Sequence, residues 1–320
     1  MLIRGRAAVW LAAAALAWAQ EHPFRTEIRV VQVPVTVTDA KGHNVDGLTA
    51  KDFLVLDDGA AQEITLDTFG VGAAPISLVI AIQTSAISTP AMVKIRRIGG
   101  MIQPLVIGHR GEAALLTFDN QIRWRQDFTS ESDRIEASVQ TLKAGSQTQS
   151  RMFDAVIDAA LRMKDRKGRK VVLLVSETRD RGSEARLQHV IEAVAREGVE
   201  VFAAPYSASG TTWIAKPEDL PPPSSPDYLA VFNELFRLAK TNDTQALTRA
   251  TGGSEYPFLR ERALEKAVEA LGAEVHSQYI LSFPPAAGAP ESMKGMHQIE
   301  VSVPNRTDLN LHARQAYWVD

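Results

Sequence analysis

Two long apolar runs constrain the fold of this sequence more than any other feature. Residues 76–82 read ISLVIAI and residues 171–175 read VVLLV. Such runs are typical of strands that are buried on both faces, as the strands of a parallel sheet are. Amphipathic helical patterns at about residues 150–164 and 184–197 accompany them. Together they predict that residues 74–272 form an α/β domain, with a doubly wound, mostly parallel sheet and helices on both faces.

The segments on both sides of this region have a different pattern. Residues 28–38 read IRVVQVPVTVT, with alternate valines on one face, and Asp57-Asp58-Gly59 is a strong hairpin signal. The tail has strand-like stretches at residues 278–283, 297–303 and 309–317. Because segments of roughly 45 residues bury little surface alone, we predict that residues 24–72 and 274–320 form one small antiparallel β-sandwich-like module, into which the α/β domain is inserted. Two separate β modules are the alternative.

The first 19 residues have the pattern of a secretory signal peptide. Arg4 and Arg6 form a basic start, residues 7–16 are apolar, and Ala17-Trp18-Ala19 is a small-x-small cleavage pattern. We therefore predict a secreted or periplasmic protein that is cleaved after Ala19; an uncleaved amino-terminal anchor is the alternative. The rest of the chain has no apolar stretch of about 18 residues, so no stable membrane span is expected in the mature protein.

Composition and motif content argue against several classes of function. The formal net charge is −3 and becomes −5 without the two leader arginines, so it gives no sign of nucleic-acid binding. The absence of cysteine excludes thiol catalysis and a cysteine-held zinc site. The sequence has no His-Glu-x-x-His pair, no Gly-x-Ser-x-Gly elbow and no phosphate-binding glycine loop. We therefore predict a non-enzymatic protein, with an enzyme of unrecognised type as the alternative.

A long irregular segment, residues 207–227, follows a strand predicted at residues 199–204. Its stretch 216–226 holds five prolines in eleven residues, a composition that favours stiff, solvated polyproline II. The segment leaves the carboxyl end of its strand, which is the edge at which open α/β sheets bind ligands. It is predicted to be either part of a binding surface or a solvated surface loop.

Seven short motifs occur in a specific order along the chain. They are Val33-Pro34-Val35-Thr36-Val37-Thr38-Asp39, Gly47-Leu48 with Asp52-Phe53, Asp57-Asp58-Gly59, Phe153-Asp154-Ala155, Thr251-Gly252-Gly253, Gln278-Tyr279-Ile280-Leu281 and Ala313-Arg314-Gln315-Ala316-Tyr317. None is diagnostic alone. Together the chain resembles the von Willebrand factor type A (VWA) domain, and closely resembles the secreted bacterial proteins described as VWFA-related, over nearly all of the predicted mature chain.

The resemblance implies a place for a divalent cation. VWA domains commonly bind one at the carboxyl edge of the sheet, in the metal-ion-dependent adhesion site (MIDAS). The family pattern has Asp-x-Ser-x-Ser after the first buried strand, a Thr before a central helix and an Asp after a later strand. In this sequence the matching positions are Gln83, Ser85, Ile87, Ser150 and Glu177. One carboxylate and two hydroxyls remain, whereas Mg²⁺ prefers octahedral oxygen ligands with carboxylates supplying charge.

The eroded pattern predicts an interaction module without a cofactor and without a useful Mg²⁺ site. The alternative is a weak Mg²⁺ site formed by Ser85, Ser150 and Glu177, which would make adhesion cation-dependent. Asp119 and Asp180 follow neighbouring strands and are candidates to replace the missing carboxylate. The predicted partner is another protein, bound by the loops at this edge. These loops are residues 83–88, 146–151, 177–181 and 207–227.

Overall fold

The computed structural model of the chain describes residues 30–67, 74–206, 235, 237–240, 242–258, 263–285 and 294–319. The predicted signal peptide (residues 1–19), the proline-rich segment (207–227) and most of a helix predicted at about 228–240 lie outside the described residues. Among the described helices, none has both the length and the apolar character that a membrane span needs.

The described residues form thirteen strands in three sheets. In chain order the strands are β1 (Val31–Thr38), β2 (Leu54–Asp57), β3 (Ala60–Ala61), β4 (Thr65–Asp67), β5 (Ile76–Gln83), β6 (Glu112–Phe118), β7 (Ile122–Thr129), β8 (Arg169–Ser176), β9 (Val199–Pro205), β10 (Tyr279–Phe283), β11 (Gly295–Ser302), β12 (Asn310–Ala313) and β13 (Ala316–Val319). The α-helices are α1 (Met92–Ile95), α2 (Ser132–Gln140), α3 (Met152–Arg162), α4 (Leu187–Glu197), α5 (Asp243–Thr251) and α6 (Ala263–Ser277).

The central sheet has five strands in the order β7-β6-β5-β8-β9. Strands β5, β6, β8 and β9 are parallel, and β7 is antiparallel to β6 at one edge. Every residue of β5 is buried, as are residues 171–176 of β8. The two apolar runs therefore form the centre of the sheet, and the predicted α/β class with a mostly parallel sheet is confirmed.

Helices cover both faces of this sheet. Alternate residues of β5 point to opposite faces, so Leu78 and Ile80 pack with α1, α2 and α6, while Val79 and Ala81 pack with α3, α4 and α5. From β5 the chain continues to β6 on one side and later to β8 on the other, so the strand order reverses beside β5. In such sheets the crevice for ligands lies outside the carboxyl ends of the strands at this reversal.

Strands from the two ends of the described chain pair with each other. One four-stranded sheet has the order β12-β1-β10-β4, with Val33 of β1 opposite Leu281 of β10. The second has the order β13-β11-β2-β3, in which β2 pairs with β11. The two sheets contribute to a single hydrophobic cluster, in which the rings of Phe283 and Tyr317 meet edge to face at 5.7 Å. We call these two sheets the flanking sheets.

Buried polar side chains connect the flanking sheets to the amino edge of the central sheet. Arg169, at the start of β8, donates hydrogen bonds to Glu200 of β9 at 2.8 Å and to Gln278. Gln278 donates in turn to Glu200 at 2.6 Å. On the flanking side, Thr36 of β1 donates to Glu274 of α6 at 2.9 Å. All five residues are buried, so these bonds replace hydration that the polar groups lose.

The sequence predicts a helical stretch at about residues 90–107, and the structure divides this stretch into short segments. They are α1, a 3-10 turn at Gly99–Met101 and a π turn at Gln103–Ile107. A Cβ on Gly99 would lie 2.7 Å from the Glu136 Cα of α2, so this close approach needs glycine. Pro104 lacks the N–H that a regular helix uses. Both residues therefore interrupt a continuous helix.

Two helices in the later part of the chain differ from the sequence prediction: α5 was not predicted, and α6 ends later than predicted. Helix α5 is absent from the prediction because DTQALTRAT has no apolar stripe and contains three threonines, which have low helix propensity. Its start is held by Asn242, whose side chain accepts a hydrogen bond from the Gln245 N–H. Helix α6 continues to Ser277, so the segment predicted as β from residue 274 begins with helix.

The motif Thr251-Gly252-Gly253 ends α5 and brings the chain against two other segments. Gly252 has φ +83°, and a Cβ there would lie 2.6 Å from the Arg314 backbone nitrogen. A Cβ on Gly253 would lie 2.2 Å from the Val201 carbonyl oxygen of β9. Both distances are shorter than van der Waals contact, so glycine is required where the central sheet meets the flanking sheets.

Replacing Gly253 by alanine should destabilise the protein by about 1–3 kcal/mol, because β9 and the segment after α5 must move apart to admit the methyl group. The free energy of unfolding from chemical denaturation measures this. Gly145→Ala is the matched control, since its Cβ would lie 3.5 Å from the nearest atom, the Thr84 carbonyl oxygen. Equal stabilities of the two variants would contradict the close-approach argument.

Candidate functional site

The five positions matched to the MIDAS pattern lie at the carboxyl edge of the central sheet. Gln83 is the last residue of β5, and Ser85 precedes the 3-10 turn that contains Ile87. Ser150 lies two residues before α3, and Glu177 directly follows β8. Gln83, Ser85 and Ser150 are 0% exposed and Glu177 is 8% exposed. Ile87 is half-buried, so it is the most accessible of the five side chains.

The Gln83 amide cross-links the ends of the two central strands. Its Nε2 donates a hydrogen bond to Ser85 Oγ at 2.7 Å, and its Oε1 accepts one from the Glu177 backbone N–H at 2.8 Å. An aspartate at this position would have no donor for Ser85, since an ionised carboxylate only accepts. The residue that stands in place of the expected carboxylate therefore offers a donor and an acceptor, and both are used within the protein.

Two oxygens at the matched positions have no hydrogen bond. Ser150 Oγ and Glu177 Oε2 are buried and have no hydrogen-bond partner among the described residues. Arg181 Nε lies 3.5 Å from Glu177 Oε2, and the Arg181 backbone pairs with that of Ser150. Burial raises the pKa of Glu177, and the opposing effects of Arg181 and Gln83 offset this only in part. The one carboxylate at these positions is therefore less acidic than usual and already has a cation beside it.

The two carboxylates considered as replacements are engaged elsewhere. Asp119 accepts two hydrogen bonds from the Arg123 guanidinium, at 3.0 and 3.1 Å. Asp180 accepts hydrogen bonds from the Met152 and Phe153 N–H groups at 2.9 and 3.2 Å, which satisfies the start of α3. Asp180 therefore acts as a helix cap, and Asp119 as one half of an ion pair.

Backbone hydrogen bonds tie the loops of this edge together. The Gly145 N–H donates to the Thr84 carbonyl at 2.7 Å, and the Ala86 N–H donates to Gln147 at 2.7 Å. Residues 146–149, at the tip of the second loop, are exposed. The described part of the edge thus has a bonded inner layer, which contains the matched positions, and an accessible outer layer formed by the loop tips.

Sequence reasoning did not identify Asp243 as a residue of this edge. It opens α5, and its Oδ2 accepts a hydrogen bond from the Asp180 N–H at 2.8 Å and lies 3.6 Å from Arg179 Nε. Burial raises the pKa of Asp243. No local signal pointed to this role, because its partners lie more than 60 residues earlier in the chain and α5 was not predicted.

Similar proteins were found only among solved structures, since no family profile and no curated protein sequence matches the chain. The conserved hypothetical protein BatB from Bacteroides thetaiotaomicron is 13% identical, with 62% of this chain and 98% of that chain covered and a TM-score of 0.45. Proximal thread matrix protein 1 from the mussel byssus is 13% identical, with 68% of this chain and 49% of that chain covered and a TM-score of 0.47. Another structure of the mussel protein has a zinc-occupied MIDAS motif.

A third similar structure is the vWF domain of the type V pili tip protein Mfa5 from Porphyromonas gingivalis. It is 17% identical, with 34% of this chain and 39% of that chain covered and a TM-score of 0.29. Scores and identities this low carry nothing about ligand or partner. The class of the fold follows from the chain itself: the strand order β7-β6-β5-β8-β9, the helices on both faces and the matched positions at the carboxyl edge make the α/β region VWA-like.

Replacing Glu177 by glutamine should stabilise the protein at pH 7. The folded-state pKa of Glu177 is raised above the ordinary value of 4.5, so ionisation of this group opposes folding, and its penalty grows as the pH rises through 4.5 toward the raised pKa. The gain in melting temperature should therefore be present at pH 7 and disappear below pH 4.5. Glu63→Gln, at an exposed position, controls for the loss of one negative charge. A gain that is independent of pH would contradict this account.

Proposed function

We propose that the chain is a VWA-like protein-interaction module that binds its partner without a metal ion. The observation that carries this proposal is the Gln83 amide, which bonds to Ser85 and to the Glu177 backbone at the place where the family holds a cation. A metal at this place connects the strand ends and loops of the edge. Here an internal amide makes the same connection, so the edge is held together by the chain's own hydrogen bonds.

Charge supports the same proposal. Mg²⁺ dehydrates reluctantly and relies on carboxylates for charge. Losing one carboxylate at about 4 Å from a doubly charged ion removes roughly 8 kcal/mol of attraction at an effective dielectric near 20. The carboxylate that remains, Glu177, has a raised pKa and Arg181 beside it, while Ile87 offers no oxygen. This donor set does not fit a Mg²⁺ ion.

The partner, in this proposal, is another protein that contacts the outer layer of the edge. Ile87 is a half-buried apolar side chain of this edge, and residues 146–149 and Arg181 of the same edge are polar and exposed. An apolar centre with a polar rim is typical of protein interfaces. The absence of a catalytic motif supports a non-enzymatic role, and the first 19 residues support export to the periplasm or the outside of the cell.

The proposal includes the division of the chain into domains. Residues 1–19 are the signal peptide, residues 74–272 are the VWA-like domain, and residues 24–72 and 274–320 together are one β-sandwich-like module. Support for the joint module comes from the pairing of β1 with β10 and of β2 with β11, and from the hydrophobic cluster common to both flanking sheets.

The second candidate function is Mg²⁺-dependent adhesion through Ser85, Ser150 and Glu177. One observation favours it: Ser150 Oγ and Glu177 Oε2 are buried without hydrogen bonds, and oxygens in this condition are available to a cation. In this second candidate the Ser85 hydroxyl would bind the metal, either while it still accepts the hydrogen bond from Gln83 or after that bond is broken. Calorimetry distinguishes the two candidates.

The unmodified protein should show no Mg²⁺ binding by calorimetry, whereas the triple variant Gln83→Asp, Ile87→Ser and Glu177→Asp should bind, because it restores charge and oxygen ligands. At Mg²⁺ concentrations about 100 times its Kd, the triple variant should be stabilised by about 2.7 kcal/mol. The matched control adds Ser85→Ala to the triple variant, which should abolish the gain. Mg²⁺ binding by the unmodified protein, lost on Ser85→Ala alone, would support the second candidate instead.

Capture of a partner by the immobilised chain should depend on the edge and not on divalent cations. The variant Ile87→Asp should lose the captured protein, because it introduces a charge at the centre of the contact. Leu161→Asp is the matched control, since Leu161 is 56% exposed near the opposite end of α3. Capture that is abolished by a chelator would contradict the metal-free proposal, and equal capture by both variants would contradict the edge as the contact surface.

A further inference from the structure

A second group of metal-ligating side chains lies in the flanking sheets, outside the central sheet that holds the MIDAS positions. Asp57 ends β2, Asp58 forms the turn to β3, and His297 lies on β11, which pairs with β2. His297 Nδ1 is 2.9 Å from Asp58 Oδ2 and 3.4 Å from Asp57 Oδ1. Each of the three residues offers one ligand atom that lies within 4.8 Å of those of the other two. Two carboxylate oxygens and one imidazole nitrogen thus converge on one point.

The other oxygen of each carboxylate is held by the surrounding protein. The Tyr317 hydroxyl of β13 donates to Asp57 Oδ2 at 2.8 Å, and the Gln298 backbone N–H donates to Asp58 Oδ1 at 2.9 Å. Partners of this kind orient the ligands in metal sites, because they fix which oxygen faces the ion. Here they leave Asp57 Oδ1 and Asp58 Oδ2 directed toward the imidazole.

Asp57 also has an unsatisfied atom. The residue is 9% exposed, and its Oδ1 is buried without a hydrogen-bond partner among the described residues. Burial raises the pKa of Asp57, although Tyr317 and His297 act in the opposite direction. Buried carboxylate oxygens are costly unless they are paired or coordinate a cation. Of the two Asp57 oxygens, Tyr317 holds Oδ2, and Oδ1, beside His297, is thus the one placed for coordination.

The separations match those of a small divalent cation with nitrogen and oxygen ligands. Ligands at about 2.0–2.1 Å from a tetrahedral Zn²⁺ lie about 3.3 Å from one another. The distances from His297 Nδ1 to the two carboxylate oxygens, 2.9 and 3.4 Å, bracket this value. Imidazole suits Zn²⁺ and related transition metals, whereas Mg²⁺ prefers oxygen ligands alone.

We propose that Asp57, Asp58 and His297 form a site for a divalent transition-metal ion of the Zn²⁺ type. Asp58 is at an exposed turn, which leaves the fourth position open to water or to a ligand from a partner. The ion would join a residue pair from the first part of the chain to β11 from the last part. Because binding would favour the folded state, it would stabilise the pairing of β2 with β11. This site is independent of the proposed metal-free binding at the carboxyl edge.

The alternative for these residues is an ion pair alone, in which a protonated His297 lies between the two carboxylates. The distances between His297 and the two carboxylates fit both arrangements, so only an experiment with added metal distinguishes them. In the ion pair a proton occupies the imidazole lone pair that Zn²⁺ would need, so an ion pair alone gives no saturable metal binding. A metal site binds one equivalent and releases protons as the ligands are occupied.

The purified full chain, treated first with a chelator that is then removed, should bind one equivalent of Zn²⁺ in calorimetry and rise in melting temperature. With Co²⁺ in place of Zn²⁺, it should show the visible absorption of a four-coordinate ion. Asp58→Asn should abolish both signals. This variant keeps the turn, because Asp58 has φ +47° and asparagine tolerates the left-handed conformation well. Tyr317→Phe, which removes the hydroxyl that donates to Asp57 Oδ2 and keeps the ring, should weaken binding by about 10–100-fold.

The matched control is His43→Gln. His43 and Asp39 form an exposed pair, with His43 Nδ1 3.2 Å from Asp39 Oδ2, and within the described part of the chain they belong to no group of three metal-ligating side chains. This variant should keep full Zn²⁺ affinity and the Co²⁺ absorption. The proposal is overturned if the unmodified chain shows no saturable Zn²⁺ binding, or if His43→Gln and Asp58→Asn weaken it equally. Mg²⁺ titration of Asp58→Asn tests the carboxyl edge separately, so failure of one proposal is distinguishable from failure of the other.

Discussion

The buried ion pair between Arg169 and Glu200, completed by Gln278, fixes how the two parts of the molecule are joined. Removing one partner of a buried pair costs about 3–5 kcal/mol, because the other charge is left without compensation. Arg169 also donates to the Val275 carbonyl near the end of α6, so the exit from the VWA-like domain is tied to its sheet. These contacts lie at the amino edge of the central sheet. The flanking sheets are therefore attached there, at the opposite end of the strands from the MIDAS positions.

Because the flanking sheets are attached at the amino edge, contacts within the carboxyl edge itself must hold its strand ends and loops together. In a MIDAS, a cation draws together strand ends and loops that have no covalent connection. In this chain Gln83 joins β5 to the residue after β8, and Asp180 caps α3. Both connections are made by groups of the protein itself, so they need no ion. The inner layer of the edge is thus bonded within the protein, which supports the proposed function because little ordering is left to occur on contact with a partner.

Part of this architecture was predictable because it depends on patterns of residues that are close together in the sequence. The apolar runs at residues 76–82 and 171–175 gave the central strands, and Asp57-Asp58-Gly59 gave a turn, which has positive φ at Asp58 and Gly59. The rest depends on distant partners. The close approach of Gly99 to Glu136 breaks a predicted helix, and the contacts of His297 with Asp57 span 240 positions of sequence. Neither of these two contacts can be predicted from a short stretch of the sequence.

Contacts between distant residues also decide where a cation fits. The ligand atoms that are close together in space matter more than a match to the family's sequence pattern. At the carboxyl edge the sequence keeps the family's spacing, but its one carboxylate is buried beside Arg181, and the amide beside it is already bonded. In the flanking sheets no family pattern points to a metal, yet two oriented carboxylates and an imidazole converge. A cation responds to charge and to free lone pairs within a few ångströms. By that criterion the flanking sheets hold the better candidate site for a cation, and this is the reason for proposing that the carboxyl edge binds its partner through its surface.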